Sequence, residues 1–191
     1  NTRESMIFGM KNDNFSSGMV KYVGHEIRAV IMNKLEMDVR DTVLLANAES
    51  IAVEASMVAY EGVVIAAERD AGSLRTMEEN ASKFGTHNIE IIPEITVEAL
   101  EKLPTPRLAF IVAQESTIEN DIVTLLKVNP KIKFIIYTLE LDILADIKYL
   151  MKKHGVDVTE VMQIAVSKVD KNGVFVAQPA PWMITGEVKE K

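Results

Sequence analysis

Apolar positions along this chain switch repeatedly between two spacings, one suited to helices and one to buried strands. From residue 24, Ile27, Val30, Ile31 and Leu35 recur on one helical face with Glu26, Arg28 and Lys34 off it, which predicts a first helix. Residues 42–46 form a short unbroken apolar run that suits a strand buried on both faces. The alternation continues with helix 50–60, strand 62–67, helix 70–84, strand 89–92, a helical turn at 97–102 and strand 107–113. Helix 116–128, strand 131–138 and helix 139–154 follow. Asp70 is placed to cap its helix, Gly85 and Gly155 to stop theirs, and Pro104-Thr105-Pro106 to make a turn.

The last forty residues change character. Stretches 158–169 and 173–188 carry strand patterns with no helix between them, so an antiparallel hairpin is expected, turned by Asp170-Lys171-Asn172-Gly173 and interrupted by Pro179 and Pro181. Strands alternating with helices and ending in a hairpin predict one α/β domain over residues 1–191, a doubly wound, mostly parallel sheet with an antiparallel C-terminal hairpin. Within it, 1–23 reads as an irregular arm or lid pinned by Phe8, Phe15 and Tyr22, 24–156 as the βα core and 157–191 as the β hairpin or arm.

Composition removes several kinds of chemistry. The chain has 191 residues and no cysteine, which excludes disulfides, thiolate metal sites and cysteine nucleophiles. Its three histidines, His25, His87 and His154, share no metal-ligand spacing, so no metal is expected. A net charge of −7 argues against nucleic acid as a partner. No apolar run reaches the roughly eighteen residues of a membrane span, and residues 1–5 lack the layout of a signal peptide, so a cytoplasmic protein without a membrane partner is expected.

The stretch 41–54 reads as a strand turning into a helix, where α/β proteins bring backbone N–H groups close to a ligand. Close approach normally needs glycine, and there is none between Asp41 and Tyr60; Asn47, Ala48, Glu49 and Ser50 make the turn instead. The binding element is present in outline and stripped in chemistry.

Several ordered matches carry a family resemblance. They include Gly9-Met10, Asp13 and Phe15 in the arm, Glu26-Ile27-Arg28-Ala29, Val53-Glu54-Ala55, Glu68, Asn80, Lys83-Phe84-Gly85 and Asn88-Ile89. Leu100, Leu103-Pro104, Phe110-Ile111, Leu139-Glu140, Gln163-Ile164 and Val166-Ser167 continue them. In these the chain resembles the decarboxylating precorrin C15-methyltransferases of cobalamin biosynthesis. The resemblance implies a class I, Rossmann-like methyltransferase fold with a seven-stranded sheet, S-adenosylmethionine (SAM) as cofactor, a tetrapyrrole substrate and a homotetramer or other homo-oligomer. The departures fall where that family binds its cofactor. An acidic residue and a glycine-rich loop correspond here to Leu45, Ala46 and the glycine-free turn, a Gly-acidic pair to Glu94-Ile95, a Gly-Gly pair to Val112-Ala113, and a Pro-Met-Thr-Lys segment to residues 21–24.

The cofactor-facing candidates are therefore Leu45, Ala46, Asn47, Glu49, Ser50, Glu68, Glu94, Ile95, Val112 and Ala113. Glu68 is either a ribose acceptor at a strand end or a solvated charge in the run Glu68-Arg69-Asp70. Glu49 is either an ordinary first-turn acid or an internal stand-in for SAM's own carboxylate at the helix N-terminus. Glu54 reads as a scaffold contact. Gln114 and Tyr137 border the acceptor position, against which stand a Ser116–Glu119 capping box and a core tyrosine. Lys11, Lys21 and Arg28 are the cations available to a polycarboxylate substrate. No catalytic residue is assigned.

Three functions compete: a working SAM-dependent tetrapyrrole methyltransferase, a non-catalytic binding or partner subunit on the same fold, and a dinucleotide oxidoreductase. The last is disfavoured because no G-x-G-x-x-G follows any strand. The stripped loop leads to the expectation that SAM binding and methyl transfer are weakened or lost. It also suggests that the added Cβ groups of Leu45, Val112 and Ala113 leave a hydrophobic or side-chain-plugged pocket.

Overall fold

The computed structural model describes residues 24–190; the arm, with Lys11 and Lys21, lies outside them. The elements are α1 (His25–Leu35), β1 (Thr42–Ala46), α2 (Glu49–Val58), β2 (Val63–Ala67), α3 (Ala71–Phe84), β3 (Ile89–Ile92), α4 (Val97–Leu100) and β4 (Leu108–Val112). After them come α5 (Ile118–Val128), β5 (Lys133–Thr138), α6 (Leu141–Lys153), β6 (Val156–Gln163), β7 (Ser167–Val169), β8 (Phe175–Ala177) and β9 (Trp182–Val188). From α1 to α6 every expected element is found, with ends moved by at most two residues, whereas the two expected C-terminal strand stretches are each split in two.

Seven strands form one sheet in the order β3-β2-β1-β4-β5-β9-β6. β3, β2, β1, β4 and β5 run parallel, and β9 lies antiparallel between β5 and β6. Because side chains alternate across a strand, Val43 and Leu45 face one layer with α1, α2 and Met77 of α3, while Leu44 and Ala46 face the other with α4, α5 and α6. Both faces are covered, which is why the parallel strands read as unbroken apolar runs.

Local chemistry sets the element ends. The Asp70 carboxylate accepts the Ser73 N–H at 2.7 Å, capping α3, and Gly85 closes that helix at φ 68. Asn88 donates to the carbonyl oxygens of Ala59 at 2.6 Å and Ser56 at 3.1 Å, satisfying the end of α2. The expected Ser116–Glu119 capping box does not form. Thr117 precedes α5 without a side-chain cap, and Glu119 instead pairs with Lys153 at 2.7 Å and His154 at 2.9 Å on α6. The Lys153 ammonium and the His154 ring within reach outcompete a reach back to one backbone N–H.

The C-terminal hairpin is divided in two. Only β7 and β8 form a separate ribbon around the Asp170 turn, where Gly173 takes φ 76 and the Asp170 carboxylate accepts N–H groups of Asn172 and Val174. β6 and β9 leave it to join the main sheet. The break comes where Ile164 turns into the core at 8% exposure and where Pro179 and Pro181 lack the N–H groups that would continue the ladder. A Cβ on Gly186 of β9 would meet the Met151 sulfur at 2.7 Å, so glycine allows α6 to close over this interior strand.

Candidate functional site

The strand order reverses between β1 and β4, and the carboxyl ends of β1, β2, β4 and β5 surround the crevice that α/β sheets use for ligands. Asn47 makes the turn out of β1. Its φ is 57, in the left-handed region, and asparagine tolerates that conformation better than any residue except glycine. Its N–H donates to the Ala67 carbonyl at 2.9 Å and its Nδ2 to the Val112 carbonyl at 3.2 Å, tying the ends of β1, β2 and β4 together. One positive φ is all this turn requires.

The crevice is open, so of the two alternatives expected, a hydrophobic or a plugged pocket, the plug is not found. A cavity of about 460 Å³ is bordered by Asn47, Glu49 and Ser50 at the start of α2, by Glu68 after β2, by Val112, Ala113 and Gln114 at the end of β4, and by Tyr137 of β5. That volume suits a small-molecule ligand. Val112 and Ala113 form a wall and do not fill the space, while Leu45, 1% exposed, is directed into the core beside α2.

Other candidates lie elsewhere. Leu45 and Ala46 are buried beneath the crevice, one in each core layer; Ile95 is packed in the core and Glu94 is exposed, neither on the cavity wall. Residues 94–95 follow the edge strand β3, which β2 separates from β1. Arg28 is not a substrate-facing cation. It is fully buried and its Nε donates to Glu54 Oε2 at 2.9 Å, joining α1 to α2, and this makes Glu54 the scaffold contact expected of it.

The cavity is strongly acidic. Glu49 is 7% exposed, and neither carboxylate oxygen has a hydrogen-bond partner among the described residues. Burial, with Glu68 and Asp70 adding like charge, pushes its pKa up to about 7, against a partial easing from the nearby Ser73 hydroxyl. Glu68 is also 7% exposed; burial raises its pKa, while its Oε1 accepts the Asp70 N–H at 3.1 Å. Asp70 is held below the usual carboxylate range by the Ser73 hydrogen bonds. The Tyr137 hydroxyl, buried without a partner among the described residues, is pushed up to about 12.

Sequence reasoning did not single out Arg69, Ser73, Leu139 and Glu140, which also border the cavity. Nor did it find Asp121 of α5, whose buried carboxylate takes Arg69 Nη2 at 3.3 Å. Proximity to Glu68 in sequence signals Arg69; nothing local signals a partner fifty-two residues away. Among the described residues no group of three or more His, Asp or Glu side chains is arranged to hold a metal ion, and no helix is long and apolar enough to cross a membrane.

A family model for the precorrin methyltransferase domain matches residues 18–186. A precorrin-6Y C5,15-methyltransferase structure from Geobacter metallireducens superposes with a TM-score of 0.85 at 25% identity, covering 96% of this chain and 98% of that one. A precorrin-8W decarboxylase from Methanobacterium thermoautotrophicum gives 0.74 at 19% identity, over 94% of this chain and 96% of the other. The C-terminal domain of the Rhodobacter capsulatus precorrin-6Y C5,15-methyltransferase gives 0.74 at 16%, over 96% and 99%; these last two show likeness of fold. Among curated protein sequences none matches the chain.

Proposed function

The chain belongs to the precorrin methyltransferase family, and on that basis we propose a precorrin C15-methyltransferase-like protein of the cobalamin pathway in which SAM binding and methyl transfer are weakened or lost. The observation that carries this reading is Glu49. The first turn of a helix presents free N–H groups that favour an anion, and here a carboxylate of the chain itself is buried at that turn with no hydrogen-bond partner among the described residues. The residues present do not fit the methionine end of SAM, whose own carboxylate would meet Glu49 and Glu68. The adenosine end fares better, since Glu68 stands after β2 where such folds accept ribose hydroxyls.

Hydrogen bonds to charged groups contribute roughly 1.5 to 3 kcal/mol each, so losing two or three weakens binding by about 4 to 6 kcal/mol, a factor of roughly 10³ to 10⁴. Calorimetric titration with SAM and S-adenosylhomocysteine is expected to show no binding up to about 1 mM, and a family-like glycine loop grafted over residues 46–50 is expected to gain it. Micromolar binding by the unaltered chain would overturn the proposal. It would favour instead an active SAM-dependent tetrapyrrole methyltransferase with an atypical loop, a reading that the open cavity supports. A non-catalytic partner subunit remains compatible with the first outcome.

The proposal extends to assembly and place: a homotetramer or other closed homo-oligomer in the cytoplasm, using the C-terminal β segment in its interface. Phe175 is 76% exposed, with Val169, Val174 and Val176 exposed around it on the β7–β8 ribbon. Apolar side chains on a two-stranded ribbon favour pairing.

A further inference from the structure

We propose that the cavity at the ends of β1, β2, β4 and β5 binds a small organic cation that carries no carboxylate, with its charged group against Glu49 and Glu68 and its apolar body against Val112, Ala113 and Leu139. This rests on the reading that Glu49 denies the first turn of α2 to a ligand carboxylate, and it adds what the same site accepts.

Both oxygens of Glu49 are buried and without a partner among the described residues, although the side chain borders an open cavity. A buried carboxylate in that condition is costly to the fold unless something cationic meets it. Among the described residues the cavity wall supplies no such group. The cavity is lined by four carboxylates, those of Glu49, Glu68, Asp70 and Glu140, and by one guanidinium, Arg69, which is already engaged by Asp121 at 3.3 Å. Asp70 is likewise committed, capping α3 through Ser73. Glu140 is exposed to solvent, which leaves Glu49, among the described residues, as the buried carboxylate with unused acceptors, beside Glu68, whose Oε1 already accepts the Asp70 N–H.

Size and shape narrow the class of ligand. About 460 Å³ is far more than a bare ion needs, and no side-chain group among the described residues is arranged to hold a metal. Val112, Ala113 and Leu139 give the opposite side an apolar surface, and the Tyr137 hydroxyl is a further unused polar group on the wall. An ammonium or sulfonium centre joined to an uncharged, partly apolar body matches these features; a zwitterion brings a second, repelled charge.

Cation binding also moves a proton. Because Glu49 titrates near pH 7 in the empty cavity, an arriving cation favours its ionised form and expels the proton to the buffer. The charged and titratable groups that bear on this titration are Glu68, Arg69 and Asp70 after β2, Tyr137 and Glu140 at the end of β5, and Asp121 through Arg69.

Three probes that share the adenosine and thioether or sulfonium framework separate the charges: decarboxylated SAM, SAM and the neutral 5′-methylthioadenosine. Calorimetric titration at pH 6 and 8 is expected to show decarboxylated SAM binding at least tenfold more tightly than either of the others at pH 8. The preference is expected to shrink at pH 6, with proton release at pH 7 read from buffers of different ionisation enthalpy. In Glu49→Gln, confirmed folded by its thermal transition, preference and proton release should both disappear. Failure of decarboxylated SAM to bind at millimolar concentration, equal binding of 5′-methylthioadenosine, or an unchanged preference in Glu49→Gln would each overturn the proposal. SAM binding as tightly as its decarboxylated form would overturn it too. Micromolar SAM binding with the tenfold preference intact would overturn only the proposed loss of cofactor affinity.

Discussion

Replacing Glu49 by glutamine removes a buried charge while keeping its shape, and the consequence for stability follows from the titration of that group. The carboxyl is raised from an ordinary 4.5 to about 7 in the folded chain, chiefly by burial. Its folded value lies above its unfolded one, so between about pH 4.5 and 7 the folded chain holds more protons. Stability therefore falls as pH rises through that window and levels off above it. At about 1.4 kcal/mol per unit, ionising Glu49 costs the fold ~3 kcal/mol. Glutamine escapes that penalty but leaves an amide in the same unpartnered place, so a net gain of about 2 kcal/mol is expected at pH 8. Below pH 4.5, where Glu49 is protonated and only the cost of the amide remains, the glutamine chain should be the less stable by about 1 kcal/mol. Urea unfolding of both chains from pH 4 to 8 measures the difference, and in a thermal scan about 2 kcal/mol corresponds to a Tm shift of roughly 4 to 8 °C for a chain of this size. A difference that does not change with pH, or a glutamine variant less stable at pH 8, would refute the claim that Glu49 is buried without compensation.

Asn47→Ala places a residue with a strong aversion to φ 57 in the turn and deletes the bond to Val112, so a loss of about 2 kcal/mol is expected, with Asn47→Gly recovering part of it in the same urea assay. Arg28→Met leaves Glu54 buried beside an apolar side chain and should destabilise by about 3 to 5 kcal/mol, while Arg28→Met with Glu54→Leu should recover much of that; equal losses in the single and double variants would show that the ion pair is not what matters. Phe175→Asp puts a charge on the exposed ribbon and is expected to convert the proposed oligomer to smaller species by light scattering, whereas a wild-type monomer at micromolar concentration would remove the proposal of assembly.

Much of the site was visible before the structure because its parts are local. Glu68 closes a strand, Asp70 caps a helix, and Asn47-Ala48-Glu49-Ser50 fill a turn where glycine would be expected. Residues matched to the family at Arg28, Glu54 and Asn88 turned out to hold the scaffold, two as an ion pair between helices and one at a helix end. Arg28 reads in the sequence as a cation available to a substrate because its helix stripe shows only which residues are apolar, and a charge buried with a partner twenty-six positions away leaves no trace in that spacing.

The sequence by itself determined the order and kind of most elements, the doubly wound α/β class and the absence of a glycine loop, since each depends on side-chain periods of two or nearly four and on turn chemistry within a few residues. Only the tertiary structure decided that β9 runs between β5 and β6 while β7 and β8 stand apart, because that pairing joins Phe134 to Gly186 and Val156 to Val188 across the chain. It also decided that the crevice is open. Whether Val112 and Ala113 plug a cavity or wall it depends on how β1, β4 and β5 diverge at their ends, and whether Glu49 finds a partner depends on what other elements bring to it. Those are distances between residues far apart in the chain, set by packing of the whole sheet and its two helix layers, and no local spacing encodes them.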